Sequence, residues 1–214
     1  DVMFAQAHEY LSKISIERIK PILALFNKTT KEVCEGQQLD MDFEKKDQVH
    51  LDDYLQMIAL KTSVLLGASM QLGAIIGGAG KRNQQLMYEF GKNLGIAFQL
   101  QDDYLDAFGN PDKFGKQVGG DILLNKKTIL LLHTFNAANA QQKTELTGLL
   151  QSNNPDKVSK MLQLFKLCGA DVFARQLKDQ YYNEALKNLE EVAVTGSRKK
   201  ALQQLAEMLL NREN

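Results

Sequence analysis

The chain is predicted to fold as an all-α helical bundle, one domain over residues 1–214, on three observations. Apolar residues recur at helical spacing along nearly its whole length. No stretch alternates polar and apolar residues as a half-buried strand would. The interruptions fall at polar, glycine or proline positions: residues 45–50, 109–125, 148–155, Gly169 and Gly196. At 214 residues the chain is long enough for one substantial core.

Residues 1–13 are already periodic, with Val2, Phe4, Ala5 and Leu11, and Asp1 is a candidate cap. A chain that starts so abruptly reads as a cut through a larger protein. His8 lies in this helical register and is assigned a structural role. Residues 17–44 form one long helix, with Pro21 tolerated in its first turns and Ile22, Leu25, Phe26, Val33 and Leu39 as its apolar positions. Gly36-Gln37-Gln38-Leu39-Asp40 then turns polar. Gln37, Asp40 and Glu44 share a face that, on spacing alone, is a solvated one.

The helix over 51–78 carries Tyr54, Met57, Ile58, Leu60, Val64, Leu65 and Leu66. It is too apolar around its circumference for a surface helix, so it is predicted to be central. Lys61-Thr62 interrupts it. Such a lysine snorkels, pairs with an acid or meets an anion. Asn83 is the candidate cap of a second central helix, 83–108, in which Gly91 and Gly95 fit close packing. Gly109-Asn110-Pro111 ends it, and helix resumes from Thr128 through Leu132. The last third is helical, with Asn154-Pro155 as one helix start and Ser197 capping a final helix, 198–210. At least seven helices are expected.

The bulk properties exclude several functions. Lys plus Arg and Asp plus Glu each number 26, so no net basic charge points to nucleic acid. Tyr181-Tyr182 lacks the basic interleaving of a base-stacking platform. The glycines at 67, 73, 77, 78 and 80 do not spell a phosphate loop. Cys34 and Cys168 are too far apart in sequence for a metal knuckle or a disulfide framework, which points to a cytoplasmic address. There is no secretory signal pattern and no run of eighteen apolar residues, so no transmembrane segment is expected.

One stretch carries chemistry. Gln99, Asp102, Asp103 and Asp106 stand at i, i+3, i+4 and i+7, so they share one helical face. Three carboxylates there repel one another, and a divalent cation relieves that repulsion. Mg²⁺ accepts carboxylate oxygens and binds substrate phosphates as well. A glycine- and lysine-containing loop follows, with Lys116, Lys126 and Lys127. Acid for a metal beside base for an anion is the pairing that diphosphate chemistry needs.

The string Phe98-Gln99, Asp102-Asp103, Asp106, Phe114-Gly115-Lys116, Gly120-Asp121 and Lys126 resembles, in order and spacing, the second aspartate-rich motif of the trans-isoprenyl diphosphate synthases, the polyprenyl synthetase family. Gly36-Gln37 with Asp40, and Lys61-Thr62, resemble two further elements of that family. The resemblance implies an isoprenoid-synthase-type bundle. It implies a prenyltransferase that condenses an allylic diphosphate with isopentenyl diphosphate, requires Mg²⁺ (Mn²⁺ as a substitute) and forms a homodimer. It makes Asp102 and Asp106 the metal ligands and gives Lys61, Gln99, Asp102, Lys116 and Lys126 catalytic roles. Gln37, Thr62 and Phe98 join Lys61, Gln99, Lys116 and Lys126 as substrate-binding residues. Asp40, Asp103 and Asp121 support them.

The sequence departs from the family in holding one aspartate-rich motif. Asp52-Asp53 is no substitute, because Gln56 stands where a third acid is needed. Asp1-Val2 resembles the end of a Gly-Asp pair that follows the family's first motif, so the chain is expected to be N-terminally truncated and inactive in isolation. Product chain length is not encoded in the stretch present. The competing expectation is a noncatalytic helical subunit or interaction protein of the same fold.

Overall fold

The computed structural model describes residues 2–46, 48–110, 118–152 and 155–210, and all its regular structure among these is helical. In order the elements are α1 (Val2–Ser12), α2 (Ile16–Lys45), α3 (Leu51–Ile58), a π-helical turn (Ala59–Ser63), α4 (Val64–Ile76), α5 (Lys81–Phe108), α6 (Gly120–Leu123), α7 (Ile129–Ala137), α8 (Ala140–Gln151), α9 (Lys157–Leu167), α10 (Ala170–Glu191) and α11 (Gly196–Leu210).

Helix α5 is the axis of the bundle, packing along α4 on one side and α10 on the other. It serves two cores. Near its N-terminal half, Phe90, Leu94 and Ala97 meet Ala185 and Leu189 of α10 and Ala206 and Leu210 of α11. Further along, Ile96 and Leu100 join Tyr54, Met57 and Ile58 of α3, the Ile129–Leu132 run of α7, and Leu164 and Phe165 of α9. Each of the Leu, Ile, Met and Phe side chains among these, taken from water, contributes about 1.5–3 kcal/mol before entropy is counted. That is why a helix with so many polar residues is nevertheless fixed at the centre.

Close approach is set by missing side chains. A Cβ on Gly91 would lie 2.6 Å from the Leu66 carbonyl oxygen, and one on Gly95 would lie 2.7 Å from the Ser63 Cα, so α4 and the π turn seat directly on α5. Gly36 does the same between α2 and the π turn, where a Cβ would meet the Lys61 nitrogen at 2.2 Å.

The sequence expectations need four adjustments. The 51–78 segment is central but not buried all round: Leu65 and Ile76 are each 53% exposed, on a stripe shared with Ser69 and Gly73. Leu51–Ile76 is also long and apolar enough, by length and composition, to cross a membrane; in the structure it is the partner of α5. Asn83 does not cap α5, which starts after Gly80; its side chain instead accepts the Ala193 N–H at 3.2 Å. Helix α9 starts at Lys157 rather than at Pro155, because Asp156 takes the N-cap position, and α11 starts at Gly196, ahead of Ser197. Asn154, like Asp1, lies outside the described residues. The His8 ring stands edge-on to Phe4 and Phe26.

Candidate active site

The site forms where the C-terminal halves of α2 and α5, the π turn and the α6–α7 connection converge. On α2, Gly36 brings the backbone against Lys61, and one turn later Asp40 Oδ2 accepts a charge-assisted hydrogen bond from Lys61 Nζ at 2.5 Å. Lys61 and Thr62 stand in the π turn, where the Val64 N–H reaches back to the Ala59 carbonyl. Such single turns recur at functional sites because the extra residue re-aims the side chains around it.

On α5 the four residues expected to share a face divide. Asp103 is buried, 3% exposed, and is held from two sides. Tyr54 of α3, itself 2% exposed, donates its hydroxyl to Asp103 Oδ2 at 2.5 Å. Gln99 Nε2 donates to Asp103 Oδ1 at 3.2 Å, and the Gln99 carbonyl oxygen accepts from the Thr62 hydroxyl at 3.4 Å. Tyr54–Asp103–Gln99–Thr62 is thus one chain of hydrogen bonds tying α3, α5 and the π turn together. Asp102 is half-buried and has no hydrogen-bond or ion-pair partner among the described residues.

Asp106 meets the next element. Its Oδ2 accepts the Asp121 N–H at 3.0 Å and its backbone carbonyl accepts the Gly119 N–H at 2.7 Å, so α6 begins on top of it. Asp121 then turns to Lys126, whose Nζ lies 3.3 Å from Asp121 Oδ2 and whose N–H donates to the Asp121 carbonyl.

The electrostatics couple these groups. Burial raises the Asp103 carboxyl to about 6; Lys126, the Tyr54 hydroxyl and Gln99 oppose that rise, and Asp121 adds to it. Burial also raises Asp106; its bond to the Asp121 N–H opposes this, while the Asp121 and Asp102 carboxylates push it further up. Burial works against the charged form of Lys126, but Asp103, Asp121 and Asp40 outweigh it, and the ammonium titrates above its ordinary value. Asp40, paired to Lys61, is thus also among the acids that act on Lys126.

No three His, Cys, Asp or Glu side chains converge as a metal-binding group among the described residues. Asp102 and Asp106 nonetheless fit a divalent cation of the Mg²⁺ type, which takes one or two carboxylates and completes its shell with water and phosphate oxygens. Asp102 has no hydrogen-bond or ion-pair partner among the described residues, and the neighbouring acids that raise Asp106 are a repulsion that a cation would relieve.

Of the other expected residues, Gln37 is exposed on α2, one turn before Asp40. Phe98 is half-buried beside the α10–α11 core. Lys116 lies outside the described residues, as do Phe114 and Gly115. Tyr54 was legible only as an apolar helix position. Asn125, with φ 53°, also escaped notice as a geometric element: it takes the left-handed turn between α6 and Lys126.

The structure is an all-helical bundle in which a carboxylate-rich helix end lies beside the Lys61–Asp40 and Lys126–Asp121 pairs. The chain belongs to the polyprenyl synthetase family, whose pattern matches residues 1–168. It is 32% identical over 215 residues to the short chain isoprenyl diphosphate synthase of Methanothermobacter thermautotrophicus, covering 100% of this chain and 66% of that protein. It is 32% identical to the geranylgeranyl diphosphate synthase of Methanosarcina mazei, covering 100% and 65% respectively. Among solved structures, a geranylgeranyl pyrophosphate synthase superposes with a TM-score of 0.91 at 39% identity, over 100% of this chain and 67% of that one. The geranylgeranyl pyrophosphate synthetase of Pyrococcus horikoshii gives 0.92 at 31%, over 99% and 65%. The chain therefore spans about two thirds of the length of these relatives.

Proposed function

We propose that this chain carries one half of the diphosphate clamp of a trans-prenyltransferase that joins an allylic diphosphate to isopentenyl diphosphate. The observation that carries this reading is Asp102, without a hydrogen-bond or ion-pair partner among the described residues, one helical turn from Asp106, with the Lys61–Asp40 and Lys126–Asp121 pairs nearby. The reaction breaks the allylic C–O bond, and the electron pair leaves with diphosphate. The allylic cation is attacked by the terminal alkene of isopentenyl diphosphate, a carbon–carbon bond forms, and a proton is lost. Asp102 and Asp106 would hold a Mg²⁺ ion, whose charge would offset that building on the leaving group.

The chain's own side chains do the rest. Lys61 and Lys126 exchange their carboxylate partners, Asp40 and Asp121, for diphosphate oxygens, and both pairs are exposed enough for that exchange. Lys116, outside the described residues, is assigned the same diphosphate-binding role. Asp103 does not bind the metal; held by Tyr54 and Gln99, it fixes the helix face that presents Asp102 and Asp106. Gln99 and Thr62 face the reacting end of the allylic chain, Phe98 lines the isopentenyl side, and Gln37 borders the cavity near Asp40. The reaction is placed in the cytoplasm, with two copies of the chain in the working protein.

Titration calorimetry with Mg²⁺ and a bisphosphonate tests this. Asp102→Ala is expected to weaken metal-dependent binding far more than Asp52→Ala; equal weakening in the two refutes the assignment. A second reading, a noncatalytic helical subunit, is favoured by the single aspartate-rich motif in the 214 residues. It predicts no metal-dependent binding in either variant or in the parent.

A further inference from the structure

A second cavity, of about 620 Å³, opens between the end of α2, residues 48–50, α7 and α8. Its size is that of a small-molecule site. The floor is apolar: Leu131 and Leu132 are buried, and Val49, Phe135 and Leu150 are half-buried. Among the described lining residues stand Lys45, Lys46, Lys127 and Lys143, with Glu44. None of the four lysines is in an ion pair among the described residues. Lys127 is half-buried.

The cavity is separate from the reaction site, and one turn divides them. Asn125 holds the left-handed conformation; its side chain donates to the Leu150 carbonyl at 3.0 Å and accepts from Lys157 at 2.7 Å. The chain leaving it sends Lys126 toward Asp121 and Lys127 into the second cavity. Two adjacent cations therefore serve two different spaces.

We infer that this cavity binds an amphiphilic phosphate, its hydrocarbon body on the Leu131–Leu132–Phe135 floor and its doubly charged head among Lys127, Lys143 and the lysines at the end of α2. An apolar floor alone would take a neutral hydrocarbon, and lysines alone would take inorganic phosphate. The combination selects for both parts in one molecule. A phosphate head matches the excess of lysines over carboxylates among the described lining residues better than a single carboxylate does. The concave shape favours a soluble single-chain molecule over a bilayer surface. This inference does not rest on the prenyl-transfer reading.

The test is titration calorimetry of the 214-residue protein with decyl phosphate, kept below its micelle concentration and with EDTA present. Decyl phosphate is expected to bind at least about tenfold more tightly than either decanol or inorganic phosphate. The Lys127→Gln/Lys143→Gln protein should lose about tenfold or more in affinity, and Phe135→Ala should lose affinity for decyl phosphate alone. Lys160→Gln, an exposed lysine away from the cavity, and Lys61→Gln, in the reaction site, should both bind as the parent does. If circular dichroism shows the double variant misfolded, Lys143→Gln alone, at an exposed helical position, carries the comparison. Equal binding of decanol, an unaffected double variant, or no binding at all overturns the proposal. Loss of binding in Lys61→Gln assigns the ligand to the reaction site and overturns it too. So does binding confined to phosphatidylcholine vesicles containing phosphatidic acid, which makes the patch a membrane contact.

Discussion

The bond between Tyr54 and Asp103 gives a sharp test of how the acidic helix end is held. Tyr54→Phe removes one oxygen from a site that is 2% exposed and leaves Asp103 Oδ2 without its 2.5 Å donor. The ring stays, so packing changes little. A hydrogen bond to a charged group contributes about 1.5–3 kcal/mol, against about 0.5–1.5 for a neutral one. Asp103 titrates at about 6, raised by burial from the ordinary 3.8. The folded state therefore holds a proton that the unfolded chain has released. Stability from this group is fully present below about pH 4 and is lost as pH rises through about 6, by about 3 kcal/mol in all. Without the hydroxyl the Asp103 titration moves up by about 1–2 pH units, so the loss deepens and extends to higher pH.

The measurable consequence is a pH-dependent difference between parent and variant. By urea unfolding, Tyr54→Phe should cost about 1.5–3 kcal/mol at about pH 8, where the parent's Asp103 is ionised, and about half that near pH 4, where both proteins hold it protonated. A loss equal at both pH values means that the hydroxyl contributes only packing or a neutral bond. A loss below about 0.5 kcal/mol at both means that Asp103 is not held by Tyr54 at all.

Three further outcomes are expected. Gly36→Ala forces a methyl to within 2.2 Å of the Lys61 nitrogen, so it should cost about 1–3 kcal/mol in urea unfolding, whereas Gly73→Ala, with open space around it, should cost nothing. Sedimentation should show a dimer or larger assembly, because Leu65, Ile76, Val2, Met3 and Ile16 leave apolar surface uncovered; a compact monomer at micromolar concentration contradicts this. Residues 1–214 should give no appreciable product from radiolabelled isopentenyl diphosphate, since one acidic motif grips one side of the diphosphate; robust Mg²⁺-dependent product overturns that reasoning.

The bundle was legible because its cores are built from local periodicity. Phe90, Leu94 and Ala97 mark the inward face of α5 at helical spacing, and that face is buried where the pattern puts it. Gly91 and Gly95 announced a close neighbour for the same reason: a four-residue glycine spacing is a local signal of a non-local contact. Helix starts were harder. A cap depends on which way one side chain turns, and Asn83 turned to the Ala193 N–H, a partner 110 residues away. The π turn was invisible, since an extra residue in a helix leaves the composition unchanged; Lys61-Thr62 in an apolar run was its only trace.

The site was legible as a set of residue types and not as a set of directions. Spacing put Gln99, Asp102, Asp103 and Asp106 on one face, but adjacent helical positions differ by about 100°. A neighbour reaching one of them is enough to separate their roles. Tyr54 is that neighbour: it claims Asp103, while Asp102 meets no hydrogen-bond or ion-pair partner among the described residues. The same logic sorts the lysines. Lys126 and Lys127 are equivalent in sequence, yet the left-handed Asn125 before them sends one to Asp121 and the other to a different cavity. Acids and bases in excess over what one site uses are therefore not redundant; each spare charge is either fixed by a buried partner, as Asp103 is, or facing a second space, as Lys127 is.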